Sequence, residues 1–274
     1  EEHLLRVERM LQRLKAFKLK LKPSKCRLLQ KRVSFLGHLV SEKGIETDPA
    51  KIELVKTWKT PANLSEVRSF LGLCSSYRKF VPNYAEVASP LTNLQKKGVK
   101  FKWSEECQLA FDRLKGALTT APILAMPRDG EGILFILDTD ASDHAIGAVL
   151  SMRLPDGKEQ VISYASHVLR LEQLHYCVTR RELLAVVVFL AYFRQYLLGQ
   201  PKFLIRTDNS AVSWLLRTPE PIGQQARWLE ILEEFDFKIE HRAGSKHGNA
   251  DALSRRICVT SLQNNDPGMD AGPV

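Results

Sequence analysis

The sequence predicts an α/β (α+β) chain whose 274 residues fall into two unlike halves. Charge is the first sign. Residues 1–130 carry 25 Lys and Arg against 13 Asp and Glu, a net +12, and the rest carry 15 against 18, a net −3, which together make the overall +9. Periodicity is the second. Helical spacing dominates the first half, whereas the second follows the order βββ-α-β-α-(α)-β-α, which predicts an antiparallel meander extended by βαβ crossovers, a mixed sheet covered by helices. The third is punctuation: Pro122, Pro127 and the Arg128-Asp129-Gly130 turn mark a boundary between the two.

In chain order, residues 3–21 read as an amphipathic helix, with Leu4, Val7, Leu11 and Leu14 at helical spacing and Pro23 stopping it. Residues 33–40 and Gly44-Ile45 suggest a short hairpin. Helical patterns follow at 49–58, 64–73 and 104–118, with Pro49 in a first turn, Asn63 or Ser65 as a cap, and Ser104 with Glu106 opening the last. Strands are expected at 132–140, 145–152 and 158–165, the last two joined by the Pro155-Asp156-Gly157 turn. A helix at 180–197 is apolar nearly all round and therefore buried. A strand at 202–208, a short helix at 209–216, a helix at 223–234, a strand at 235–241 and a helix starting near Asn249 complete the pattern. Residues 257–274 show no periodicity and are expected to be a disordered tail.

Composition excludes several classes. With 44% hydrophobic and 26% charged residues the chain reads as globular rather than disordered or collagenous. The apolar run Leu183–Leu190 has eight residues, against about 18 for a membrane span. No membrane partner is expected. The start, Glu1-Glu2-His3, has no initiator Met and no signal-peptide pattern, so a piece of a longer, intracellular protein, cytoplasmic by expectation, fits best. Five scattered cysteines without a C-x-x-C pair argue against a disulfide framework or a structural zinc site. A basic half suits a polyanion.

Four segments of the second half set an acid at the edge of an apolar element: Leu137-Asp138-Thr139-Asp140, Arg181-Glu182-Leu183-Leu184, Arg206-Thr207-Asp208 and Ala250-Asp251-Ala252. Carboxylates beside a core are costly unless something positive joins them. Hard divalent cations bound by oxygens solve that problem, and two Mg²⁺ ions about 4 Å apart support phosphodiester cleavage. Carboxyl ends of neighbouring parallel strands lie side by side, which would bring Asp140 and Asp208 together, with Glu182 opening the intervening helix. Asp138 lies on the same side of the strand as Asp140, and spacing cannot choose between them. Asp143 reads as a capping or surface acid, and His144, His167, His175 and His247 show no metal spacing.

At these residues a resemblance becomes specific. ILDTDASDHAIGAVL (Ile136–Leu150), RRELLAVV (Arg180–Val187), FLIRTDNSAVSWLL (Phe203–Leu216) and HRAGSKHGNADALSR (His241–Arg255) resemble the ribonuclease H domain of gypsy-type LTR retrotransposon (retroviral-like) reverse transcriptases. Upstream, KCRLLQKRVSFLGHLVSEKGI (Lys25–Ile45) is similar to the last strands of the polymerase palm. RSFLGLCSSYRKFVPNYAEVASPLTNL (Arg68–Leu94) is similar to the thumb, and FKWSEECQLAFDRLKGAL (Phe101–Leu118) to the tether. The resemblance covers residues 1–256 and implies a ribonuclease H-like mixed sheet flanked by helices, preceded by a partial palm and a helical thumb. The expected boundaries are 1–48 for the end of the palm with its primer grip, 49–130 for thumb and tether, and 131–256 for ribonuclease H.

Carried over residue by residue, the resemblance implies Asp140, Glu182, Asp208 and Asp251 as ligands of two Mg²⁺ ions, with Mn²⁺ as a substitute; the TDAS match selects Asp140 over Asp138. Asp140 would bridge both ions, Asp251 would serve the attacking-water side, and Glu182 and Asp208 the leaving-oxygen side. His241, ten residues before Asp251, is implied as a proton-transfer or product-release group. Phe35, Leu36, Gly37 and His38 are implied as the primer grip. Arg78 and Lys79 in the thumb, and Ser142 and Asn209 beside the acids, are candidate nucleic-acid contacts. The implied substrate is an RNA–DNA hybrid, cut on its RNA strand and read through 2′-hydroxyls.

Ser76-Tyr77-Arg78 departs from the family's double tyrosine, and no Asp-Asp pair occurs, so the polymerase fingers and catalytic palm are expected upstream as partners from the same polyprotein. Two other readings stand beside the enzyme: a non-catalytic nucleic-acid-binding remnant of a decayed element, and an integrase or transposase on the same fold, whose acid spacing differs.

Overall fold

The computed structural model describes residues 2–128, 130–207, 215–216, 218 and 223–241. It begins with α1 (Glu2–Ala16), which buries none of its residues. The helix stops before Pro23 is reached, because Lys18 turns left-handed at φ 55°. The amides of Lys18 and Leu19 then bond to the carbonyls of Lys15 and Leu14.

Next comes a three-stranded antiparallel sheet, β1 (Arg32–Phe35), β2 (His38–Ser41) and β3 (Gly44–Thr47), one strand more than the expected hairpin. The β1–β2 turn holds both central residues at positive φ, 49° for Leu36 and 76° for Gly37, the combination whose twist suits a two-residue hairpin.

Helices α2 (Pro49–Thr57), α3 (Leu64–Ser76), α4 (Tyr84–Val87), α5 (Ser89–Asn93) and α6 (Glu105–Thr119) share one core around Phe70, Phe80, Leu91, Phe111 and Leu114. Their caps follow the sequence. Asp48 accepts from the Ala50 amide, Asn63 from the Glu66 amide and Ser104 from the Cys107 amide, each satisfying an orphan donor of a first turn.

The second half forms a five-stranded mixed sheet from β4 (Leu134–Ala141), β5 (Ala145–Arg153), β6 (Glu159–Val168), β7 (Phe203–Thr207) and β8 (Phe237–His241), in the order β6-β5-β4-β7-β8. The meander β4-β5-β6 is antiparallel; β4–β7 and β7–β8 are parallel. The helices of this half are α7 (Leu171–Leu174), α8 (Val178–Tyr192), α9 (Arg194–Leu197) and α10 (Gln224–Glu233). The expected helix at 180–197 is thus two helices, broken at Phe193. The expected short helix at 209–216 falls mostly outside the described residues; the helix near Asn249 and the tail lie wholly outside them.

The two faces of the sheet have different neighbours. Leu137, Leu150, Phe203 and Ile205 share a core with Leu184, Val187 and Leu190 of α8. On the opposite face Asp138 pairs with Val149, and Val149 with Tyr164. Tyr164 and Val161 there pack against the helical cluster. The connecting segment stitches all three parts together. Leu124 exchanges two backbone hydrogen bonds with Ile45, and the Ala125 amide donates to Val161 at 2.7 Å. Among the described residues no helix is long and apolar enough to cross a membrane.

Candidate active site

Strands β4 and β7 lie parallel with Asp138 opposite Arg206. Both side chains are buried, and Arg206 Nη2 donates to Asp138 Oδ2 at 2.7 Å. The same guanidinium reaches Glu159 at the start of β6, at 2.9 and 3.2 Å, and Glu159 also accepts from Arg153 on β5 at 2.8 Å. Burial opposes ionisation of Glu159, but hydrogen bonds from Arg206 and Arg153 outweigh it and hold its carboxyl below the usual range. These contacts separate the two acids that spacing left equivalent. Asp138 is committed to a buried ion pair. Asp140, two residues on, is half-buried near the end of β4, opposite Gly147.

Glu182 sits one turn inside α8, 2% exposed. The residue before it fixes that turn against the end of β4. Arg181, itself buried, donates from Nη1 to the carbonyl of Ser142 at 2.9 Å and to Asp143 Oδ1 at 2.6 Å. The β4–β5 turn is thereby tied to the start of α8, and an open cleft between them is lined by Ala141, Ser142, Asp143, Val178 and Arg181. Arg181 keeps the exposed Asp143 carboxyl below its ordinary range by hydrogen bond and by charge.

Ser142, a candidate nucleic-acid contact, builds the turn with its hydroxyl, which accepts from the Ala145 amide at 3.0 Å and the His144 amide at 3.3 Å. His241 ends β8 opposite Thr207, the residue before Asp208. Asp208, Asn209 and Asp251 lie outside the described residues. Among the described residues no group of three or more His, Cys, Asp or Glu could hold a metal ion. Asp140 and Glu182 supply the hard oxygen donors that Mg²⁺ takes, and a complete site would need the two acids beyond.

The other expected contacts gather at the helical cluster. Phe35 and Leu36 project from the β1–β2 turn, 61% and 82% exposed. The turn is docked from behind: Tyr77 Oη donates to the Gly37 carbonyl at 2.6 Å, and the His38 ring stacks on Phe80 at 5.6 Å. Lys79 is half-buried with its ammonium 5.4 Å from the Phe80 ring, and burial lowers its pKa. Arg78 has a partner within the protein. Its Nη2 donates to the carbonyl of Ser166 on β6 at 2.7 Å, and the Ala85 amide donates to Ser166 Oγ at 2.8 Å. Arg78 thus joins the helical cluster to the large sheet.

No periodicity or spacing marks Arg181 or Arg206 as an organiser; each stands near an acid in the sequence, and only the long-range pairing shows what it holds.

Residues 133–235 match the family model described as the RNase H-like domain found in reverse transcriptase. Residues 133–235 are an RNase H-like domain of reverse transcriptase. The chain is 40% identical over 255 residues to the retrovirus-related Pol polyprotein from transposon 297 of Drosophila melanogaster, covering 93% of this chain and 23% of that one. It is 38% identical over 262 residues to the Tf2-3 transposon polyprotein of Schizosaccharomyces pombe, covering 94% and 20%. The chain therefore spans about a quarter or less of the length of these relatives. Among solved structures, the foamy viral protease-reverse transcriptase in complex with dsDNA matches at 26% identity with a TM-score of 0.71, covering 89% of this chain and 52% of that one. The same viral protein in complex with an RNA/DNA hybrid matches in fold with a TM-score of 0.73 at 24% identity, covering 98% and 36%. The RNase H-like assignment agrees with the mixed sheet, the buried α8 and the position of Asp140 and Glu182 at one end of both.

Proposed function

We propose that this chain is the ribonuclease H end of a retrotransposon reverse transcriptase of gypsy type, and that it hydrolyses the RNA strand of an RNA–DNA hybrid. The observation that carries this is the Arg181 clamp, which fixes the α8 turn bearing Glu182 against the strand end bearing Asp140. Asp140 and Glu182, with Asp208 and Asp251, would hold divalent Mg²⁺, or Mn²⁺ in its place. Bound there, the metal supplies an activated water and neutralises charge at the leaving oxygen. Asp138 takes no part, because Arg206 already holds it. His241 would move a proton or help product leave.

In the same reading the β1–β2 turn is a primer grip and α2 to α6 a thumb. Their Lys and Arg, the excess of +12 before Gly130, would hold the duplex backbone. Each phosphate contact steepens the log–log salt dependence of binding by about 0.7–0.9. Fingers and the catalytic palm would come from upstream in the same polyprotein, inside the cell.

The test is incubation of the chain with labelled RNA–DNA hybrid, double-stranded RNA and double-stranded DNA, with Mg²⁺ or EDTA. Cleavage confined to the RNA of the hybrid and stopped by EDTA is expected. Binding without cleavage under every metal condition would leave a nucleic-acid-holding module instead.

A further inference from the structure

We propose that Arg206 is a positioning residue. Through its buried pair with Asp138 it fixes the register of β7 on β4, and so where Thr207, the residue before Asp208 in the sequence, stands relative to Asp140. The inference rests on the reading of those acids as metal ligands.

Apolar alternation sets part of the register of β7. Phe203, Ile205 and Thr207 are buried with Phe203 and Ile205 in the α8-side core; Leu204 and Arg206 alternate with them. A slip of β7 by one residue would exchange these sets and is forbidden. A slip by two would keep every side chain on its face. It would move β7 along β4 by about 6.6 Å, at about 3.3 Å per residue. Alternation alone does not exclude that slip, and it would carry whatever follows β7 by the same distance.

The ion pair excludes it. Arg206 meets Asp138 at 2.7 Å and Glu159 at 2.9 Å, so it is pinned from β4 and from the start of β6 at once. A two-residue slip either way would leave Asp138 buried without its cation, and one of the two would set Arg206 opposite Asp140 instead, a heavy penalty for a charge in the interior. The planar fork of Arg suits two carboxylates, where a Lys ammonium would serve one point. Arg153 shares Glu159 at 2.8 Å, so two cations meet two anions and the cluster carries no net charge. A buried ion pair adds little net stability over an apolar pair, and registry is its best-attested use. Asp140 follows Asp138 by two residues, and Asp208 follows Arg206 by two. The pair therefore stands two residues before each acid in the sequence.

The test measures Mn²⁺ affinity of the full chain by electron paramagnetic resonance, with circular dichroism for folding and hybrid-cleavage kinetics. The variants are Arg206→Lys, Asp138→Asn and the charge-free double Asp138→Leu/Arg206→Met, with Asp140→Asn alongside. The double variant is expected to melt near the wild type yet bind Mn²⁺ about tenfold more weakly, as supporting residues of metal sites commonly do when lost. Its kcat should fall while KM for hybrid holds. If the double variant does not fold, Arg206→Lys decides, with an expected Mn²⁺ affinity about threefold or more below wild type. A folded Arg206 variant with wild-type Mn²⁺ affinity overturns the proposal. If Asp140→Asn weakens Mn²⁺ binding and the Arg206 variants do not, only the positioning role falls. If Asp140→Asn also leaves affinity unchanged, the metal reading falls and takes the positioning role with it.

Discussion

Arg78 donates to the backbone carbonyl of Ser166 at 2.7 Å, across 88 positions of sequence. The Ser166 hydroxyl receives the Ala85 amide from the same helical cluster, so one residue of β6 anchors two points of the cluster. Arg78→Ala should remove a charge-assisted hydrogen bond worth about 1.5–3 kcal/mol. A lower melting temperature and faster proteolysis within residues 77–88 are expected. Unchanged protease sensitivity there would show that the two parts are held elsewhere.

Gly44 sits at φ 134°, and a Cβ placed on it would stand 2.2 Å from the Leu124 carbonyl oxygen. That carbonyl accepts from the Ile45 amide at 2.7 Å, so the close approach is part of the stitch between β3 and the connecting segment. Gly44→Ala should cost at least about 2 kcal/mol, combining strain with a backbone collision. Denaturant unfolding measures it, and a midpoint equal to wild type would contradict the stitch.

Burial lowers the pKa of His38 below 6.5, a nearby Lys79 lowers it further, and a hydrogen bond to the Leu36 carbonyl opposes them. The fold therefore favours the neutral ring. Its contribution to stability is full above pH 6.5 and is lost as pH falls through the depressed folded value. The β1–β2 turn should loosen from Tyr77 and Phe80 as the medium is acidified. Histidine ring resonances followed by NMR should report a midpoint below 6.5; a midpoint above it would reverse the sign.

Arg181 predicts a split between folding and turnover. Arg181→Ala removes its bonds to Ser142 and Asp143 and keeps Asp140 and Glu182 in the chain, but no longer holds the turn of Glu182 against the end of β4. Hybrid cleavage should fall by about tenfold to a hundredfold, the cost of a misplaced catalytic group, with hybrid affinity nearly unchanged. A variant cleaving at the wild-type rate would show that the clamp does not set the site.

Much of this was legible in the sequence, for identifiable reasons. The β4-β5-β6 meander and α8 announce themselves through periodicity, and Asn63 and Ser104 through capping chemistry. The short helices α4 and α5 were not legible. At four and five residues they are too short to show a period, and β6 supports the former through Ser166. Nor could spacing separate Asp138 from Asp140. The difference is Arg206, whose place opposite Asp138 is a matter of sheet order. The boundary at residue 130 also hides an interface. Val161 and Tyr164 pack on the helical cluster, so a fragment starting at 131 would uncover them. Charge substitutions within the full chain are therefore the sounder probe of the basic half.

The most direct test of the central claim compares Asp140→Asn with Asp138→Asn in cleavage of a labelled RNA–DNA hybrid at saturating Mg²⁺. Asp140→Asn should lose activity by about a thousandfold or more while remaining folded. Asp138→Asn should keep measurable cleavage, the saturating Mg²⁺ offsetting a weakened metal site. A dead Asp138→Asn beside an Asp140→Asn that cleaves at the wild-type rate would contradict the claim.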